Sequence, residues 1–492
     1  MVFGTTECPL RVFRSTATAV CSHADLVPAT TSEPCRPAAA GLRATVGRRR
    51  RTLGNVGVSL GYLLVLIDST VLNVALPDIS SSLGGSTSGQ QWTLSAYLVT
   101  FGALLLGSEA VADRYGALRT YRMGVLAFVI FSALRAAAQT LTMLIVFRAL
   151  QGAAAALIPG TTLALIARMN PEPDARHRAI GLYALVTGVG FAAGPALGGL
   201  LVAASGWRWI FLINVPIGLL ALVWSRVFPS DETNPRTSGT RLDIRGQLLA
   251  VVCCALTVVV IIEAGDRSLT AVWALLPLVC AGALLYRSDR ASEAPAIPVP
   301  LLRVSELRRG AVYGFAIQVV MASTLFIGSL YLIDVRGLAP MRAGLAMIGY
   351  TFGPCLLGPL VGRIVAARGP QLPAVIGQIL ACGGSAGVAA AMYLNAPLWV
   401  LIAAMVVAGA ALPSVIVPMT GLVVSHAPAG SQSTAGGLFS AARQLGGAFG
   451  VAALGAILAV VGGQTGYPVA MTAVAAVAAV ALIGMVVAPH RR

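Results

Sequence analysis

The stretch Leu66-Ile-Asp-Ser-Thr-Val-Leu-Asn-Val-Ala-Leu-Pro77, "LIDSTVLNVALP", decides how this chain is read. It closes an apolar run that starts near residue 54, long enough for the ~20 residues that cross a bilayer. Yet it holds a carboxylate, Asp68, where a hydrocarbon-facing helix would exclude one. The whole chain says what solvent surrounds that run. Its 492 residues are 57% hydrophobic and only 11% charged, against roughly 25% charged in a soluble domain. Most of the surface must therefore face lipid. The 54 glycines suit helices that pack backbone to backbone. The fold class is an all-α polytopic membrane protein.

Spans of this length recur about fourteen times. They lie near 54–76, 92–112, 122–139, 142–167, 178–203, 207–228, 246–263, 270–286, 310–333, 342–366, 373–393, 396–420, 434–461 and 467–488. Residues 1–51 have no such run and end in Arg48–Arg51, a cytoplasmic flank expected to be disordered. The organisation that follows is a six-helix bundle over 52–228, a linker at 229–245 and two extra spans over 246–286. A second linker at 287–309 leads to a second six-helix bundle over 310–492. Alternate loops collect the arginines: Arg114, Arg119 and Arg122, then Arg168, Arg176 and Arg178, and later Arg363 and Arg368. Cytoplasmic loops gather basic residues, so both termini are expected in the cytoplasm.

The net charge of +16, carried entirely by arginine, has this topological cause. No basic stripe interleaved with aromatics calls for nucleic acid. No Cys/His spacing fits a metal, and no nucleophile–base arrangement or phosphate-binding loop indicates an enzyme or an ATP-driven pump. The expected partners are the lipid bilayer, protons and a small molecule. No cofactor is expected beyond the proton motive force.

There is an internal echo. "EAVADRYG" (109–116) follows the second span and "GRIVAARG" (362–369) the tenth. Gly190, Gly194 and Gly198 in the fifth span find a partner in Gly446 and Gly450 in the thirteenth. Each pair is offset by eight spans, which fits two parallel halves with two spans inserted between them.

Asp68 lies nine residues before Pro77, roughly 13 Å below the outer surface at 1.5 Å per residue. Arg148, in "FRALQGAAAALIPG" (147–160), lies roughly 10 Å below the same surface. Intramembrane charges usually pair and mark ion or proton pathways. Burial disfavours an ionised carboxylate and a guanidinium favours it, so such a pair can take up and release a proton as its surroundings alternate. It can equally be a static buried ion pair. Asn73 and Gln151 are candidates to hydrogen-bond the same site. Gly190, Gly194 and Gly198 share one helix face, and Pro195 removes a backbone hydrogen bond there. Asp113, Arg114 and Gly116 form a short turn after the second span.

Taken in order, these motifs resemble the major facilitator superfamily, and within it the fourteen-span drug:proton antiporters, over about 54–488. Asp68–Pro77 is similar to that family's first-span motif and Asp113-Arg-Tyr-Gly116 to the superfamily's loop motif. Arg148-Ala-Leu-Gln-Gly152 is similar to the fourth-span motif and Gly194-Pro195 to the antiporter motif. Trp207–Pro216 and Arg443–Gly447 match further family runs. Two departures stand in the loop: Glu109 where the family has Gly, and Ala117 and Leu118 in place of a basic pair. The resemblance implies proton-coupled efflux of amphipathic small molecules across a bacterial inner membrane by a single chain. Asp68 and Arg148 would couple the proton, Gly190, Gly194, Pro195 and Gly198 would form the antiporter helix, and Asp113, Arg114 and Gly116 the gating loop. A proton symporter or facilitator importing a metabolite and a non-transporting membrane sensor are the alternatives. No motif names the substrate-binding residues.

Overall fold

A computed structural model describes residues 36–228, 243–292, 299–428 and 431–487, with side chains from Arg51 onward. The chain separates into Met1–Arg48 and Arg49–Arg492, and the spans lie in the second unit. Among the described residues every regular element is helical.

Among the described residues, thirteen helices are long and apolar enough to cross a membrane. We number the fourteen spans in chain order. The first half comprises α1 (Arg36–Leu83, spanning from Arg51), α2 (Thr87–Tyr115), α3 (Ala117–Ala136), α4 (Leu141–Met169), α5 (Pro173–Ser205) and α6 (Trp209–Ser225). The extra pair is α7 (Ile244–Gly265) and α8 (Thr270–Ala291). The second half comprises α9 (Ser305–Val335), α10 (Pro340–Arg368), α11 (Gln371–Tyr393), α12 (Leu398–Ser425), α13 (Gln432–Val461) and α14 (Gly466–Val487).

Three details differ from the sequence reading. The sixth span is shorter than expected and broken, as Trp209–Leu212 and Asn214–Ser225. Pro216 has no N–H to offer the Leu212 carbonyl, which explains the break. The expected disordered tail, 1–51, lies outside the described residues up to 35, but α1 already begins at Arg36. Ala- and Arg-rich sequence with Leu42 favours helix there. The turn after α2 is a single residue: Asp113 and Arg114 are still helical, and Gly116 alone reverses the chain.

Gly116 has φ 88° and ψ 142°, and its echo Gly369 has φ 79° and ψ 174°. Each donates its N–H to the carbonyl four residues back, Ala112 and Val365, at 2.9 Å. Such backbone angles are essentially open to glycine alone, and forcing another residue there costs about 1–3 kcal/mol. Gly116→Ala and Gly369→Ala are each expected to lower the melting temperature of the purified protein. A melting curve unchanged in both would contradict the turn geometry.

The repeat is visible in the packing. The α5 glycines lie against α1, with a Cβ on Gly190 overlapping Leu63 and one on Gly198 overlapping the Val71 carbonyl. The α13 glycines lie against α9 in the same way, Gly446 on the Phe315 carbonyl and Gly450 on Val319. The halves meet along two main interfaces, α2 with α13 and α5 with α10. Adding eight to one helix of each pair and subtracting eight from the other interchanges the two interfaces, as a two-fold relation between parallel halves requires. The extra pair sits outside, α7 against α2 and α13, and α8 against α7. Only 17% of each apolar window in α7 and α8 is buried, and Trp273 and Leu276 project outward, so this pair faces lipid.

Candidate functional site

The charge in "LIDSTVLNVALP" is fully buried. Asp68 has 0% exposure, and both of its oxygens are taken by guanidiniums, Oδ1 by Arg135 of α3 and Oδ2 by Arg148 of α4. Asn214, at the start of the second piece of α6, donates to Oδ1 at 3.1 Å and to Ser132 Oγ at 3.0 Å. Arg148 Nε donates to the Thr93 carbonyl of α2 at 3.1 Å, and its Nη1 reaches Gln151 Oε1 at 3.4 Å. The two guanidiniums also lie over aromatic rings, Arg135 4.1 Å from the Phe211 centroid and Arg148 4.3 Å from the Tyr97 centroid. Five spans of one half thus converge on one carboxylate.

Two guanidiniums and one carboxylate leave the cluster at +1. This is the geometry of ionised Asp68. A proton on Asp68 here would leave two like charges facing each other in a dry core, so protonation must go with a rearrangement of the cluster.

The structure places Arg148 against Asp68, and adds Arg135 and Asn214, which the sequence reading does not single out for this site. Gln151 joins the cluster. Asn73 does not: its amide bonds the carbonyls of Ser69 and Thr70 in its own helix, at 3.2 and 3.3 Å. One signal for Arg135 was present. It lies at the arginine-poor end of α3, where topology leaves little reason for a basic residue.

On the other side of α1, Thr70 and Val71 sit against Gly194 and Gly198 of α5, with no room for a Cβ on either glycine. The next face of α5 seals against α10. Thr351 Oγ1 donates to the Ala192 carbonyl at 3.0 Å, Gly344 abuts the Pro195 carbonyl, and Gly199 abuts that of Pro340. Ser329 of α9 adds a bond to the Asn73 carbonyl at 3.0 Å. All of these lie toward the arginine-poor end. Toward the arginine-rich end α5 and α10 splay apart: a Cβ on Gly181 or Gly358 would meet nothing within 4 Å.

The splay opens a cavity of about 690 Å³ between the halves. It is mainly apolar, with Leu98, Phe101, Phe191, Met321 and Leu325 in its walls. Its polar groups include Tyr62, Tyr183, Gln318, Arg443 and Gln444. Asp68 is not among its lining residues, since the carboxylate faces α3 and α4 behind the cavity wall.

The loop motif divides. Asp113 and Arg114 are exposed, and the Arg114 guanidinium lies 5.7 Å from the Tyr115 ring centroid. Glu109, one of the departures, faces Ser433 of α13 and lies against Gly437. It therefore ties the two halves together at the arginine-rich end.

The architecture and the sequence both have counterparts. The fold is similar to that of the xylose transporter XylE from E. coli, with a TM-score of 0.62 and 14% identity over 89% of this chain and 97% of that one. The sequence is 33% identical over 424 residues to the drug efflux pump JefA of Mycobacterium tuberculosis, covering 83% of this chain and 81% of the relative. It is 33% identical over 427 residues to the tetracenomycin C resistance and export protein of Streptomyces glaucescens, covering 86% and 77%. The sequence profile of the Major Facilitator Superfamily matches residues 58–451 and again 312–492, so the chain belongs to that superfamily.

Proposed function

We propose that this protein is a proton-coupled exporter of amphipathic small molecules, drugs or secondary metabolites, in a bacterial inner membrane. The observation that carries the reading is a carboxylate with 0% exposure, held by two guanidiniums beside a cavity between two repeated halves. The relatives named for drug efflux and for antibiotic resistance and export support the direction of transport. The arginine-rich end faces the cytoplasm by the charge rule for loops, so the cavity in this conformation receives substrate from inside. Helices of both halves line the cavity, and we take a single chain as the working unit.

The cycle follows from the cluster. In the outward-facing state Asp68 takes a proton, and its hold on Arg135 and Arg148 loosens. In the inward-facing state the proton leaves, both ion pairs close again, and the substrate enters the cavity. α1 conveys the change, because Asp68 on one face and Thr70 on another tie the cluster to the glycine face of α5. α5 in turn forms the seal with α10. Gly190, Gly194, Pro195 and Gly198 shape that helix, and Gly116 and Glu109 set the closure of the arginine-rich end. An inward positive charge is worth about 2.3 kcal/mol per 100 mV of membrane potential, so net inward charge per cycle drives export.

The test uses inverted membrane vesicles carrying the protein, energised to an acidic interior. Adding a transported compound is expected to release protons from the interior in proportion to its uptake. Uptake that proceeds unchanged after the proton gradient is collapsed would contradict the antiport reading.

A further inference from the structure

The efflux reading leaves open which compounds the cavity accepts, and the charges around it restrict the answer. Among the cavity's lining residues there is no aspartate or glutamate. There is one arginine, Arg443 of α13, and no carboxylate pairs with it among the described residues. Its protein partner is neutral: Nε and Nη2 donate to Gln318 Oε1 of α9, at 3.3 and 3.2 Å. Both donors converge on a single oxygen, and Nη1 has no acceptor among the described residues. A guanidinium offers a fork that matches a carboxylate, and here the fork meets half a partner.

The surroundings do not neutralise it. Among the described residues the fully buried charged side chains are Asp68, Arg135 and Arg148. Two arginines and one carboxylate give +1, and Arg443 adds +1. The cavity wall therefore carries the +1 of Arg443 with no carboxylate in it, the cluster behind the wall carries a further +1, and Glu109, also partly buried at the α2–α13 interface, lies outside the lining. In low dielectric this field favours an anion and opposes a cation. An intramembrane ionisable group of this kind marks a functional site by default. The aromatic furniture is also present. Tyr62 and Tyr183 stack with centroids 5.7 Å apart and planes 16° apart, and both line the same cavity.

We propose that the cavity selects amphipathic aromatic compounds carrying an anionic group, which Arg443 receives together with Gln318. The apolar and aromatic walls hold the body of the compound. This specificity rests on the efflux reading, and it excludes lipophilic cations as the preferred substrates. Exporting an anion against an incoming proton moves positive charge inward twice over, so the membrane potential assists such a substrate most.

The experiment measures binding to the purified full-length protein in lipid nanodiscs, by equilibrium dialysis against empty nanodiscs. Three probes share one scaffold: pyrenebutyrate, its neutral methyl ester, and a pyrenyl trimethylammonium cation. Pyrenebutyrate is expected to bind at least tenfold more tightly than the ester, and the cation more weakly than either. Arg443→Gln is expected to bring pyrenebutyrate to within about twofold of the ester while ester binding persists, showing an intact cavity. Gln318→Glu keeps the arginine but supplies a carboxylate from the protein itself, and is expected to abolish the preference equally. Arg443→Lys, a charge without the fork, is expected to retain part of it. Should Arg443→Gln fail to bind the ester, Gln318→Glu decides alone. Equal binding of the three probes by the wild type, tighter binding of the cation, or a preference that survives both substitutions would overturn the proposal. Because dialysis needs no transport, anion-selective binding without efflux would sink only the export reading. Efflux of ester and anion alike from vesicles would sink only the specificity.

Discussion

Asp68→Asn is expected to abolish substrate-driven proton release while substrate binding persists. The side chains are nearly the same size, so the cavity walls are unchanged. What changes is charge. The wild-type cluster holds +2 and −1, a net +1, and the asparagine leaves two guanidiniums with +2 and no carboxylate. Removing one partner of a buried ion pair typically costs about 3–5 kcal/mol, so the variant is also expected to melt earlier. The two effects are separable. Asp68→Asn combined with Arg135→Gln returns the cluster to +1. Thermal stability is expected to recover in the double variant and proton release is not. If proton release returns with stability, Asp68 is a structural ion pair and the coupling group lies elsewhere.

The second large effect is expected at Gly194. Its missing Cβ is occupied by Thr70 of α1, two residues beyond Asp68. Gly194→Val would drive α5 away from α1 or push Thr70 from its place, where its hydroxyl donates to the Leu66 carbonyl at 3.0 Å. Overpacking of this kind costs about 1–3 kcal/mol, which is roughly 5- to 150-fold in a two-state equilibrium. The cost falls on the conformation sealed at the arginine-poor end, because the adjoining face of α5 forms that seal with α10. Efflux is expected to drop by about that factor while the ion cluster stays intact. Thr70→Ala, which removes the nearest obstructing atom, is expected to restore part of the efflux in Gly194→Val. Efflux equal to wild type in Gly194→Val would show that α1 and α5 need not approach this closely.

How much of this was legible depended on whether a residue's environment is local. Asp68 and Arg148 stood out because each interrupts a long apolar run, and their depths followed from helix rise alone. The glycine face of α5 was visible from spacing, though the identity of its neighbour was not. Arg135 sits one residue before the end of α3, where a long basic side chain normally extends toward water. Only the fold shows it turned inward onto Asp68. Asn214 looked like part of a family run, yet its position owes much to Pro216, which breaks the sixth span and places the amide at a helix start. The cavity was not legible, because helices from both halves build it and its polar residues come from separate stretches of the chain, Tyr62, Tyr183, Gln318 and Arg443 each from a different helix. Arg443 and Gln318 are 125 residues apart in sequence. Glu109 showed as a departure from the family pattern, but its place against Gly437 is a contact between halves that a single loop does not encode.

The central claim is that Asp68 is the group that exchanges the proton. The most direct test is proton release on substrate binding by the purified protein in detergent, read with a pH-indicator dye in weak buffer. Wild type, equilibrated at a pH where the substrate-free protein holds the proton, is predicted to release it as a transported compound saturates the cavity, and Asp68→Asn to bind the same compound with no release. Equal release from both proteins would contradict the account, and would make the carboxylate in "LIDSTVLNVALP" a fixed part of the scaffold.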